Sequence, residues 1–128
     1  MTPAPLLPRA VVAARLRQAR ALRGLSQRET GVRMGLDKET GSARVSRYES
    51  ESMAISLEAL FELAQALEVP PAYLLASTPA MADAILALGS TSEPKQSQLA
   101  DAVKAMSGLS AAKGRAFLEQ MTNAASSD

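Results

Sequence analysis

The chain contains no cysteine and no histidine. Their absence removes thiolate nucleophiles, disulfides, imidazole bases and most structural zinc sites, and fits a cytoplasmic protein. Aromatic residues make up only 3%, so a core must be built from Leu, Val, Ala and Met. Abundant Ala and Leu with few β-branched residues favour helix over strand. No run of 18 apolar residues occurs, so no membrane span is expected. No acidic residue precedes Glu29, as in organelle transit peptides. That stretch runs without a break into the next element, and its arginines interrupt any secretory signal core. No Gly-rich phosphate loop and no metal-binding carboxylate cluster is found. No cofactor is expected, and no enzyme.

What remains is ordinary globular material, 128 residues long, 47% hydrophobic and 21% charged, enough for one domain with an appendage. The net charge of +1 conceals an asymmetry. Residues 1–56 hold ten bases (Arg9, Arg15, Arg17, Arg20, Arg23, Arg28, Arg33, Lys38, Arg44, Arg47) and five acids, a net +5. Residues 57–128 hold four bases and eight acids, a net −4. The basic half points to a polyanionic partner, unless its arginines are merely solvated helix positions.

Residues 1–8 carry three prolines and read as a loose arm. From Arg9 to Leu22, the spacing of Val12, Leu16, Ala19 and Leu22 keeps one apolar face on a helix, and Gly24 follows as a C-terminal cap. Ser26 with Glu29 three residues on makes a capping-box pattern for a short second helix ending at Gly35. Leu36 to Gly41 reads as a turn, and a third helix is expected from about Ser42 to Ser50 with Val45 inward. Ser56 caps a fourth helix striped by Leu57, Leu60, Leu63, Ala64 and Leu67. Pro70-Pro71 stops it, and a last turn through Tyr73, Leu74 and Leu75 closes a five-helix core.

Two short helices joined by a turn form a helix-turn-helix pattern, which by itself is common. The residues add specificity: Leu16-Arg17-Gln18-Ala19-Arg20, Gly24-Leu25-Ser26-Gln27, Met34-Gly35-Leu36, Val45-Ser46-Arg47-Tyr48-Glu49, and Ser56-Leu57-Glu58-Ala59-Leu60 continuing to Val69-Pro70. In order and spacing, Leu16 to Leu75 resembles the Cro and phage-repressor helix-turn-helix family (the xenobiotic-response-element type). The resemblance implies an all-α, five-helix lambda-repressor-like DNA-binding domain over residues 9–76, with a helical C-terminal extension over 77–128. It further implies that Arg20 pairs with Glu49, the acid ending the recognition helix. Gln27, beside Arg28 at the start of helix two, is implied to reach the DNA backbone. Ser42, Ala43, Arg44 and Arg47 on helix three would meet the major groove. Arg can bond guanine bidentately, and either Arg could instead grip phosphate.

Three departures from that pattern stand out. The link between helices two and three is about four residues longer than usual, around Asp37-Lys38-Glu39-Thr40. It either lengthens the turn or adds a helical turn before Ser42. Thr30-Gly31 replaces a common Leu-Ala; Gly31 allows close helix approach but costs about 1 kcal/mol of helix propensity. Glu51 stands where Gly is common, near a phosphate-contacting loop.

In the extension, Pro79 to Leu88 could be helical, and Gly89 to Pro94 reads as a linker. Leu99, Val103 and Met106 mark one helix face, while Ser110 caps a last helix carrying Phe117, Leu118 and Met121. The tail from Asn123 to Asp128 should fray. Ser110-Ala111-Ala112-Lys113 spells a serine-enzyme signature, but a helix cap explains it better. These apolar faces need a partner, either the N-terminal domain or a second copy. The expected function is a sequence-specific DNA-binding transcriptional regulator, a repressor acting as a homodimer on double-stranded DNA. The alternative is an antitoxin or adaptor module that binds a protein partner through the acidic, apolar-striped tail.

Overall fold

The computed structural model describes residues 7–127, which are helical with no strand among them. Of the expected arm, residues 1–6 lie outside the described residues, as does Asp128 at the expected frayed end. Pro8 opens helix α1 (Pro8–Arg23), where its missing N–H leaves no helical bond unmade. The helix ends at Gly24, whose φ of 67° is left-handed, a conformation that carries little penalty without a Cβ. Val12, Ala13, Leu16 and Ala19 point inward, whereas Leu22 is half exposed.

Helix α2 (Gln27–Arg33) starts with the expected capping box. The Glu29 N–H donates to Ser26 Oγ at 3.0 Å, and the Ser26 N–H donates to Glu29 Oε1 at 3.3 Å. Helix α3 (Lys38–Glu49) departs from expectation. It begins four residues before Ser42, so Lys38 to Gly41 is helix and not turn. Asp37 causes this: its carboxylate accepts from the Thr40 N–H and from Thr40 Oγ1, each at 2.8 Å, the bonding of a strong N-cap.

Those bonds hold the Asp37 carboxyl below its ordinary value near 3.8. A group lowered in this way stabilises the folded state above its ordinary pKa, and the contribution is lost as pH falls through the lowered value. Acidification below about pH 4 is therefore expected to release the first turn of α3 before the core melts. Amide exchange at Thr40, followed by NMR against pH, reads this directly. Asp37→Ala should show the same fast exchange already at neutral pH.

Gly41 does not break α3, because it is pressed against α2. A Cβ on Gly31 would fall on the Gly41 Cα, and a Cβ on Gly41 would lie 2.8 Å from the Gly31 Cα. The two helices thus cross backbone to backbone, with a glycine on each side.

Helix α4 (Leu57–Ala66) is capped by Ser56, whose Oγ accepts from the Ala59 N–H at 3.1 Å. Leu60, Leu63, Ala64 and Leu67 are buried; Leu57, in the first turn, is exposed and falls outside the stripe. Beyond Pro70 a 3₁₀ turn (Pro71–Leu75) buries Tyr73 and Leu74. Helix α5 (Pro79–Gly89) adds buried Ala82 and packs Ile85 and Leu86 on the same core. The first compact unit accordingly runs to Ser90, and residues 77–90, assigned above to the extension, are part of it.

The second unit holds α6 (Glu93–Ser107) and α7 (Ala111–Ser126). Helix α6 starts earlier than the linker composition suggests, because Pro94 sits in its first turn, where proline is tolerated. Ser110 Oγ accepts from the Lys113 N–H at 3.3 Å, so the serine-enzyme spelling is a helix cap. Helix α7 continues through the segment expected to fray, as far as Ser126. Neither helix has a buried residue: Val103 is 61% exposed and Leu118 56%.

Candidate nucleic-acid interface

Helix α3 buries Gly41, Val45, Tyr48 and Glu49, positions spaced four, three and one apart, which fixes its inward face. The opposite face is exposed and carries Glu39, Ala43, Ser46 and Arg47, with Thr40 beside them. Of the residues expected at the DNA, Arg28, Ala43 and Arg47 are exposed. Ser42, Arg44 and Gln27 are half-buried. Glu39, Thr40 and Ser46 share the exposed face and are not among the expected residues. Counting from Val45 by helical period would have found Ser46, but Glu39 and Thr40 depended on where the helix begins.

The end of α3 is clamped. Arg20 Nε donates to Glu49 Oε2 at 2.6 Å and Arg20 Nη2 donates to Glu49 Oε1 at 2.8 Å. This fork-to-fork geometry keeps Arg20 charged, raising its pKa above the ordinary value against the opposing effect of burial. Gln27 Nε2 also donates to Glu49 Oε1, at 3.3 Å, and Arg17 Nη1 donates to the Glu49 carbonyl at 2.7 Å. Glu49 thus joins α1, α2 and α3 at one point. Gln27, half-buried at the start of α2, belongs to this clamp.

The arginines divide into two groups. Arg9 donates to the Glu51 carbonyl and Arg15, which is buried, to the Ala76 carbonyl. Arg23 bonds the carbonyls of Leu67 and Glu68, and Arg33 that of Ala66. Helix α4 has no basic residue in its own last turn, so cations from α1 and α2 serve its carbonyl end. These four, together with Arg17 and Arg20, make six structural arginines in the basic half. Among the described residues, the side chains of Arg28, Lys38, Arg44 and Arg47 make no hydrogen bond or ion pair within the chain. All four lie on α2 and α3.

A helix-turn-helix family model matches residues 16–74. The crystal structure of the transcriptional regulator BswR is 32% identical with a TM-score of 0.65, over 72% of this chain and 91% of that one. The chain belongs to the Cro/C1-type helix-turn-helix family. A second similar structure is the hypothetical transcription factor NHTF from Neisseria, 33% identical with a TM-score of 0.51, over 62% of this chain and 91% of that one. No curated protein sequence matches. As a helix-turn-helix protein, the chain is a DNA-binding transcriptional regulator and not an enzyme. No helix among the described residues is long and apolar enough to cross a membrane.

Membership also gives Glu51 a physical meaning. Its φ is 66°, left-handed backbone in which a Cβ is strained and glycine is not. Glu51→Gly is expected to stabilise this helix-turn-helix domain by about 1 kcal/mol and, by removing an anion next to α3, to tighten DNA binding. Urea denaturation and a binding titration on the same variant check both parts.

Proposed function

We infer that the protein binds a pseudo-palindromic operator as a homodimer and represses the adjacent promoter from the cytoplasm. The observation that carries this reading is the placement of the four unpaired cations, Arg28, Lys38, Arg44 and Arg47, on the two helices that meet DNA in this family. An evenly solvated basic half would leave free arginines on α1 as well, and there they are bonded to carbonyls or to Glu49. Arg47 faces outward on α3 and reaches a guanine edge or a phosphate, with Arg44 at the flank of the same face. At the start of α2, Ser26 takes the Glu29 amide, so the first-turn amides of Gln27 and Arg28 remain for phosphate.

The dimer reading rests on the second unit. A helical pair with no buried residue has no core of its own, and a second copy would provide one. Residues 91–128 hold four bases (Lys95, Lys104, Lys113, Arg115) and four acids (Glu93, Asp101, Glu119, Asp128). That balance suits self-pairing. It also removes the feature that favoured an antitoxin or adaptor, because the net acid of the C-terminal half is Glu58, Glu62, Glu68 and Asp83, all within the first unit.

Footprinting on the promoter regions near the gene, with sedimentation of the free protein, tests the reading. Two protected tracts about one helical turn (~10 bp) apart and a dimer mass are expected, with binding that weakens steeply in salt. A single tract with a monomer mass would contradict the dimer. Stoichiometric capture of one protein with no salt-dependent DNA binding would favour the adaptor.

A further inference from the structure

The first turn of α3, ahead of Ser42, presents a carboxylate on Glu39. Lys38 to Gly41 adds four residues, about 6 Å of helix, before Ser42. The Gly31–Gly41 contact backs this added turn against α2, so its position is set by packing. Glu39, Ala43 and Arg47 follow one another at steps of four along the exposed face. Arg47 lies about 12 Å along the axis from Glu39, too far to neutralise it directly. Among the described residues Glu39 makes no ion pair. An unpaired carboxylate on a surface that approaches phosphates is repelled unless a donor meets it.

The major groove offers such a donor at few places. Guanine shows two acceptors, N7 and O6, and thymine shows O4 with a methyl group. Adenine shows N6–H₂ beside the N7 acceptor, which opposes the second carboxylate oxygen. Cytosine shows N4–H₂ with no neighbouring acceptor of its own. We propose that Glu39 is a specificity-determining residue of this protein, accepting a hydrogen bond from a cytosine N4 amino group in each half-site. The proposal rests on the DNA-reading assignment of α3 made above and goes beyond it by naming the residue and the base. The reading tip of the helix is then Glu39 with Ala43 behind it, in place of Ser42 and Arg44.

Selection of binding sites from a random duplex pool, with the full chain and with E39Q, tests this. The wild type should fix one C·G pair per half-site, discriminating against the other pairs roughly 10-fold to 100-fold. E39Q should change that preference toward adenine, whose N6 and N7 suit an amide, and leave the other positions as they were. E39A should lose the preference at that pair alone and bind non-specific DNA more tightly than the wild type, since a repelled charge is gone. Thermal melts of E39Q and E39A should lie only slightly from that of the wild type, because Glu39 makes no ion pair and contributes only its first-turn charge to α3. Identical preferences for the wild type and E39Q at every position would overturn the role of Glu39 while leaving α3 as the reading helix. Failure of the wild type to select any sequence would overturn the operator reading, and this inference with it.

Discussion

Gly31→Ala is expected to lower the stability of the DNA-binding unit by about 2–3 kcal/mol, although alanine is the better helix former by about 1 kcal/mol. Propensity loses because the new Cβ falls on the Gly41 Cα, and backbone cannot rotate aside as a flexible side chain would. Helices α2 and α3 must separate, and the first turn of α3 loses its support. Gly114→Ala supplies the contrast. Gly114 lies within α7 with nothing inside 4 Å of an added Cβ, so there the same change should raise helix stability by about 0.5–1 kcal/mol. Urea titrations of the two variants should therefore shift in opposite directions. A shift of the same sign and size in both would mean that the Gly31–Gly41 contact contributes nothing. DNA affinity should fall with Gly31→Ala even below the unfolding transition, because the recognition helix is displaced from α2.

Glu49→Ala is the second large effect. Glu49 is 7% exposed and receives two bonds from Arg20 and one from Gln27. Truncation leaves the Arg20 guanidinium without its counter-charge, since the remaining bond of Arg20 goes to the Leu25 carbonyl at 3.0 Å. A fully buried pair broken in this way costs about 3–5 kcal/mol. The Arg20 side chain is 21% exposed and recovers some hydration, so about 2–3 kcal/mol is expected. Against a total of about 5–15 kcal/mol for a domain, that is a substantial fraction. Arg20→Ala combined with Glu49→Ala should cost less than the two single changes added together, the mark of a direct pair. Additive losses would show that the two residues act separately. Chemical denaturation of the four proteins closes the cycle.

The fold was legible wherever a short-range signal decided it. Ser26 with Glu29, Ser56 and Gly24 mark helix ends that the structure reproduces. Val45 marks the inward face of α3, and the fork between Arg20 and Glu49 forms although 29 residues separate them. Two features were not legible, for different reasons. The start of α3 turned on a competition between Asp37 as a cap and Gly41 as a breaker. Asp37 sets it, and Gly41 stays inside the helix because it packs on Gly31, a contact that no local window contains. The function of the arginines was hidden for a similar reason. Composition counts Arg15, Arg17, Arg23 and Arg33 as charge available to DNA, whereas their guanidinium groups bond carbonyls brought near by the fold. The charge argument survives in reduced form, resting on four cations instead of ten.

The boundary of the first unit shows the same limit. Thr78 caps α5 by accepting from the Met81 N–H at 3.1 Å, a signal present in the sequence. That α5 then packs Ala82, Ile85 and Leu86 onto the core could not be read from its periodicity. In the second unit the reverse holds: the apolar faces of α6 and α7 were evident, and the structure buries none of their residues fully, with Leu99 and Met106 half-buried and Val103 and Leu118 exposed.

The central claim is that the exposed face of α3 reads bases. It is tested most directly by the ratio of affinities for a selected operator and for a scrambled duplex of equal length, measured at one salt concentration for the wild type and for Arg47→Ala. The wild type is expected to prefer the operator by at least about 10³-fold, and Arg47→Ala to lower operator affinity by about 10-fold or more. Equal affinity of the wild type for both duplexes, or a ratio and affinity untouched by Arg47→Ala, would contradict it.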